Sequence, residues 1–109
     1  MKKIELYIRP EKLEELKAAL EAIDCVGMSA MDVRGRGEQR GIELEYRGKK
    51  VRVDMLPKTK VEVFVKAERV DEVVAAMCSA AYTGKPGDGR VYISAVEKAM
   101  KVRDGSTLE

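Results

Sequence analysis

The chain has 109 residues, 45% of them hydrophobic and 37% charged, which suits one globular domain. Its 21 basic and 19 acidic side chains balance to a net charge of +2, too even to argue for a nucleic-acid partner. There is no histidine, and Cys25 and Cys78 stand far apart, so a Cys/His zinc site and histidine acid–base catalysis are both excluded.

Ile4, Leu6 and Ile8 alternate with polar neighbours and predict a first strand. Pro10 suits the start of a helix, where its missing N–H costs nothing. Leu13, Leu16, Leu20 and Ile23 recur at helical spacing, and Gly27 is expected to break the pattern. A second strand is read at 28–33. After the glycine-punctuated GRGEQRG of residues 35–41, the stretch IELEYRGKKVRV alternates on either side of Arg47-Gly48, as a hairpin or a longer excursion would. Pro57 is expected to end it. KVEVFVK, 60–66, predicts a third strand, and Val70, Val73, Val74, Met77 and Ala81 a second amphipathic helix. A glycine-rich loop leads to a last core strand with Val91, Ile93 and Ala95 inward.

The order β-α-β-(long loop)-β-α-β predicts an α+β, ferredoxin-like βαββαβ domain spanning 1–109, with both helices on one sheet face. The other face would be bare, and copies of the same chain are its expected cover. With only 5% aromatic residues, a small aliphatic core of this kind gains from oligomerisation. The two cysteines read as small buried thiols. The N-terminus has no apolar leader and no stretch approaches membrane-spanning length, which predicts a cytoplasmic protein.

Three segments have the composition of anion sites. TGKPGDGR, 83–90, carries Gly84, Gly87 and Gly89 and then Arg90. Glycines free of Cβ and of the φ restriction let successive N–H groups converge on a phosphate. The spacing is not that of a Walker loop, and a plain helix-to-strand connection capped at Gly84 reads equally well. GRGEQRG offers Arg36, Gln39 and Arg40, or is a solvated basic turn. Lys98, Lys101 and Arg103 near the C-terminus form a third cluster, or an exposed basic tail.

Over essentially its whole length the chain resembles the PII nitrogen-regulatory signalling family. The similarity lies in MKKIELYIRPEKL, VGMSAMDVRGRGEQRG, EYRGKKVRVDMLPKTKVEV and, most specifically, TGKPGDGRVYISAVEKAMKVRDG. The resemblance implies a homotrimer with ATP or ADP in clefts between subunits, and a docking loop over about 37–55 that engages a target such as an ammonium transporter. It implies regulation rather than catalysis, and no tightly bound redox cofactor. Carried over by position, the nucleotide contacts would be Gly35, Gly37, Phe64, Gly87, Asp88, Gly89, Arg90, Lys101 and Arg103, with Ser29 and Glu62 near the adenine or ribose. Gln39 and Lys58 match the positions that hold 2-oxoglutarate with Mg-ATP, Gln39 through the metal.

Several positions depart from that pattern. Val51 replaces the modifiable loop tyrosine and has no hydroxyl to carry a nucleotidyl group. Glu38 stands where a phosphate-binding arginine is usual, and a carboxylate there repels a triphosphate. Lys101 stands for arginine, keeping charge without the fork, and Asp104 is placed to compete for Arg103. These changes leave open a PII-like sensor with another effector and target. A weak phosphohydrolase on the same frame is the reading from a different class.

Overall fold

The computed structural model describes residues 1–36, 42–53 and 55–108, with the backbone alone at 42–44 and 51–53. In chain order it has β1 (Lys2–Ile8), a 3-10 turn at Pro10–Lys12, α1 (Leu13–Glu21), β2 (Ser29–Gly35), β3 (Ile42–Tyr46), β4 (Lys49–Val53), β5 (Leu56–Val65), a 3-10 turn at Ala67–Arg69, α2 (Val70–Ala81) and β6 (Arg90–Ala95). Strands β2, β5, β1 and β6 pair antiparallel in that spatial order, the ferredoxin-like arrangement expected from the sequence.

The alternation in β1 sends Ile4, Leu6 and Ile8 to one face, where they are buried. In the antiparallel register Ile4 lies opposite Val63 and Leu6 opposite Val61. Leu16 and Leu20 of α1, with Val73, Met77 and Ala81 of α2, close over this aliphatic floor. Burial of side chains this size is worth about 1.5–3 kcal/mol each. No helix is long and apolar enough to cross a membrane.

Several boundaries differ from the sequence reading. Helix α1 stops before Gly27: Asp24 takes a left-handed φ of 58°, and the Cys25 amide donates back to the Leu20 carbonyl at 2.9 Å. This is a Schellman-type end with aspartate in place of glycine. Pro57 lies inside β5, opposite Arg34, rather than before it. It is tolerated because β1 pairs only as far as Thr59, so this end of β5 has one neighbour and no second ladder to donate to. Ile93 pairs with Ile4 on the helix side yet is 50% exposed, because β6 is an edge strand. Cys25 is buried as expected, but Cys78 is exposed.

Residues 42–53 form a hairpin, β3 with β4, turned at Arg47 (φ 52°) and Gly48 (φ 75°). Two successive positive φ angles are what a two-residue primed turn requires. The hairpin makes its own two-stranded sheet, separate from the main one. The radius of gyration is 16.8 Å, against about 13 Å for a compact chain of 100 residues. The 42–53 part of the expected docking loop is therefore ordered strand; residues 37–41 and 54 lie outside the described residues.

The sheet face away from the helices carries no element of this chain's own helical layer. By register, Ser29, Met31 and Val33 of β2 share it with Lys58, Lys60, Glu62 and Phe64 of β5. Lys3, Glu5 and Tyr7 of β1 and Tyr92 of β6 complete it. A row of alternating charges crosses its centre: Lys3–Glu5 at 2.5 Å, Glu5–Lys60 at 3.8 Å and Lys60–Glu62 at 3.0 Å. Phe64 is 53% exposed on the same face.

Candidate functional site

The glycine loop runs from the end of α2 to β6, and its shape is organised by one side chain. Asp88 Oδ2 accepts from the backbone amides of Thr83 (2.8 Å) and Gly84 (2.9 Å). Its Oδ1 accepts from the Thr83 hydroxyl and, at 3.3 Å, from Arg9 Nε. Thr83 Oγ1 in turn accepts from the Lys85 amide at 3.2 Å. The Thr83 hydroxyl first, then the Thr83 amide, hold the Asp88 carboxyl well below the usual carboxylate range. Asp88 is thus an internal acceptor that folds the loop onto itself.

All three loop glycines have positive φ: 83° at Gly84, 96° at Gly87 and 116° at Gly89. At Gly89 the close neighbour is the chain itself. A Cβ there would lie 1.6 Å from the Tyr7 carbonyl oxygen of β1.

A cleft of about 520 Å³ opens between this loop, the end of β2 at Gly35 and Arg36, and Lys58 on β5, with Tyr7 and Tyr92 at its wall. The two tyrosine rings meet edge to face, centroids 6.1 Å apart. Arg36, Lys58, Lys85 and Arg90 bring positive charge to the cleft, and Asp88, the one carboxylate of its lining among the described residues, is paired with Arg9. Lys58 Nζ donates to the Gly87 carbonyl at 2.7 Å. Desolvation in the cleft, and then the nearby Arg9, lower the Lys58 pKa from its ordinary value. Among the described residues no group of three His, Cys, Asp or Glu side chains comes together as a metal site. The chemistry on offer is capture of an anion by amides and cations, with an aromatic wall beside it.

Of the expected contacts, the cleft brings together Gly35, Lys58, Gly87, Asp88, Gly89 and Arg90. Ser29 and Glu62 face each other across β2 and β5, with Phe64 two residues further along, all outside the cleft on the exposed sheet face. Lys101 and Arg103 sit in an exposed C-terminal turn closed by Lys101 N to Ser106 O (2.8 Å) and Gly105 N to Lys101 O (2.9 Å), also outside the cleft. Asp104 accepts from the Ser106 amide at 2.9 Å. Gly37, Glu38 and Gln39 lie outside the described residues. The sequence reading missed Arg9, Thr83, Tyr7 and Tyr92. Arg9 stands 79 residues from Asp88, and nothing in local spacing links them.

The chain is similar to known proteins over nearly its whole length. The family model described as "Nitrogen regulatory protein P-II" matches residues 1–106. The chain is 51% identical over 107 residues to Nitrogen regulatory protein P-II 2 of Methanothermobacter thermautotrophicus, covering 98% of this chain and 93% of that one. It is 47% identical over 109 residues to Nitrogen regulatory protein P-II of Cereibacter sphaeroides, covering 100% and 97%. It is 44% identical over 109 residues to the protein of that name from Haemophilus influenzae, again covering 100% and 97%.

Proposed function

The chain belongs to the P-II family of nitrogen regulatory proteins, and from that premise we propose that it senses adenine nucleotide in the glycine-loop cleft and passes the result to a target protein through its hairpin. Its role is nitrogen-regulatory signalling, and it is a regulator rather than an enzyme, as its full-length relatives are named. The observation that carries the nucleotide reading is the convergence of Gly87, Asp88, Gly89, Arg90 and Lys58 on one cationic cleft. Phosphates of ATP or ADP meet the amides and cations there, and Tyr7 and Tyr92 offer aromatic surface nearby.

Among the described residues, five of the eleven expected contacts lie outside that cleft, on the bare sheet face and the C-terminal turn. A homotrimer accounts for this division: Ser29, Glu62, Phe64, Lys101 and Arg103 complete the cleft of a neighbouring copy. The exposed Met31, Phe64 and Tyr92 on the uncovered face favour such an assembly. Lys58, with Gln39, takes the carboxylate of 2-oxoglutarate and the Mg of bound ATP. The hairpin, basic at Arg47, Lys49 and Lys50, docks onto a cytoplasmic partner such as an ammonium transporter. Glu38 and Val51 favour a second reading, a P-II sensor whose effector and target differ from the usual ones.

The test is calorimetric titration with ATP, ADP, AMP and 2-oxoglutarate in the presence of Mg, with particle mass followed by light scattering. The expected particle has three times the 12.1 kDa chain mass. Gly87→Val should abolish ATP binding while leaving that mass intact, and Phe64→Asp should release monomers that bind nucleotide weakly. A monomer with full ATP affinity would refute the intersubunit site. ATP binding without 2-oxoglutarate binding would favour the second reading.

A further inference from the structure

The antiparallel register of β3 and β4 sorts the hairpin into two unlike faces. Positions 42, 44 and 46 lie opposite 53, 51 and 49, and the sequence places Ile, Leu and Tyr there against Val, Val and Lys. On the other face Glu43 lies opposite Arg52 and Glu45 opposite Lys50, so each carboxylate has a cation across the ribbon. The apolar positions thus run from the foot of the ribbon towards its tip and end at an aromatic residue and two cations. Tyr46 is 62% exposed, with the Arg47 guanidinium 5.3 Å from its ring centroid, and Lys49 is exposed across the turn. At the foot, Met55 is half exposed. The ribbon pairs with no strand of the main sheet. A two-stranded ribbon with an apolar face is only marginally stable in water and gains from a cover.

We propose that this hairpin is a membrane-surface element: its 42/44/46 face lies on a bilayer that carries anionic phospholipid, with Tyr46 at the headgroup level and Arg47 and Lys49 against lipid phosphates. Charge and polarity together select this occupant. A wholly apolar partner would cover the stripe but strand Arg47 and Lys49 in a dry interface, whereas phosphate headgroups accept both. Tyrosine suits the boundary between hydrocarbon and headgroup, where its ring is dry and its hydroxyl wet. Lysine and arginine lay their stems along apolar surface and carry the charge out to phosphate. Each such cation held near an anionic leaflet raises partitioning about fivefold. With a net charge of only +2, the chain as a whole has little general attraction for such a surface. This contact goes beyond the docking reading above and requires neither nucleotide nor a protein target.

The experiment mixes the full chain, without nucleotide, with vesicles of phosphatidylcholine alone or of an equal mixture with phosphatidylglycerol. Bound protein is read by co-sedimentation at low and at high salt. Binding should require phosphatidylglycerol and weaken as salt screens the cations. Arg47→Gln/Lys49→Gln should lower partitioning about 25-fold, two factors of five. Lys17→Gln/Lys66→Gln removes the same charge from exposed sites outside the hairpin, and should lower it no more than about twofold. Melting temperatures confirm that both double variants are folded. The chain has no tryptophan, so Tyr46→Trp gives a single fluorescent reporter. Its emission should shift to the blue on the mixed vesicles and be quenched by lipids with brominated acyl chains. Binding to neither vesicle, or equal binding to both, would overturn the proposal and leave the face to a protein partner. Equal losses in the two double variants would show adsorption by net charge and overturn the part given to the hairpin. Bound Tyr46→Trp protein with unshifted emission would place the contact elsewhere on the chain, and would overturn it as well.

Discussion

Replacing Gly89 with alanine probes what the third glycine of the loop is for. Its φ of 116° belongs to a region that costs a side-chain-bearing residue about 1–3 kcal/mol. The added Cβ would sit 1.6 Å from the Tyr7 carbonyl oxygen and 2.8 Å from its carbon, both closer than any ordinary contact. These are backbone atoms of a central strand, so they cannot rotate away as a side-chain tip would. Relief requires β1 and β6 to part where Tyr7 faces Arg90, at a net cost of about 1 kcal/mol per ladder hydrogen bond. Together these losses come to about 3–4 kcal/mol, or a fall in melting temperature of roughly 15 °C or more for a domain this size. Gly105→Ala is the control. Its φ of 71° carries conformational strain, but nothing lies within 4 Å of the new Cβ, so about 1 kcal/mol is expected. Gly27→Ala, with open space and no positive φ, should be neutral or slightly stabilising. Chemical denaturation of the three variants at one protein concentration provides the measurement. If Gly89→Ala is no less stable than Gly105→Ala, the close packing of Gly89 on β1 is not what the position requires.

Arg69 donates to the Ile23 and Asp24 carbonyls and pairs with Glu72 at 2.6 Å, tying the end of α1 to the start of α2; Arg69→Ala should cost about 1–3 kcal/mol in urea unfolding, and an unchanged midpoint would count against that tie. Asp88 has a folded-state pKa depressed below its ordinary 3.8, so its stabilisation is present above that value and is lost as pH falls through and below it. The stability gap between wild type and Asp88→Asn, followed by thermal unfolding from pH 7 downward, should therefore stay level to about pH 5 and close below about pH 4; a gap that widens on acidification would show that the carboxylate is not held by these donors.

Much of this protein is local, and the local part is legible in the sequence. The period of two in Ile4–Leu6–Ile8 and in Val61–Val63–Val65, and the helical spacing of Leu16–Leu20 and Val73–Met77, report which face each element buries. Their order restricts the sheet to few topologies, and the three glycines of 83–89 announce a loop with unusual backbone. The departures come where distant parts of the chain meet. Asp24 ends α1 in a conformation that spacing alone assigns to glycine. Pro57 enters a strand because β1 has already stopped beside it. Ile93 keeps the right parity and remains half exposed, because alternation encodes a face and cannot say whether anything covers it. Cys78 is exposed for the same reason. Tertiary structure alone decided that Gly89 makes room for the Tyr7 carbonyl, and that Asp88 turns inward to Thr83, Gly84 and Arg9. The Tyr7–Gly89 and Arg9–Asp88 contacts join residues about 80 positions apart, Arg9 and Asp88 by 79, and a pattern read within one turn or one strand holds no information about which remote atom it will meet.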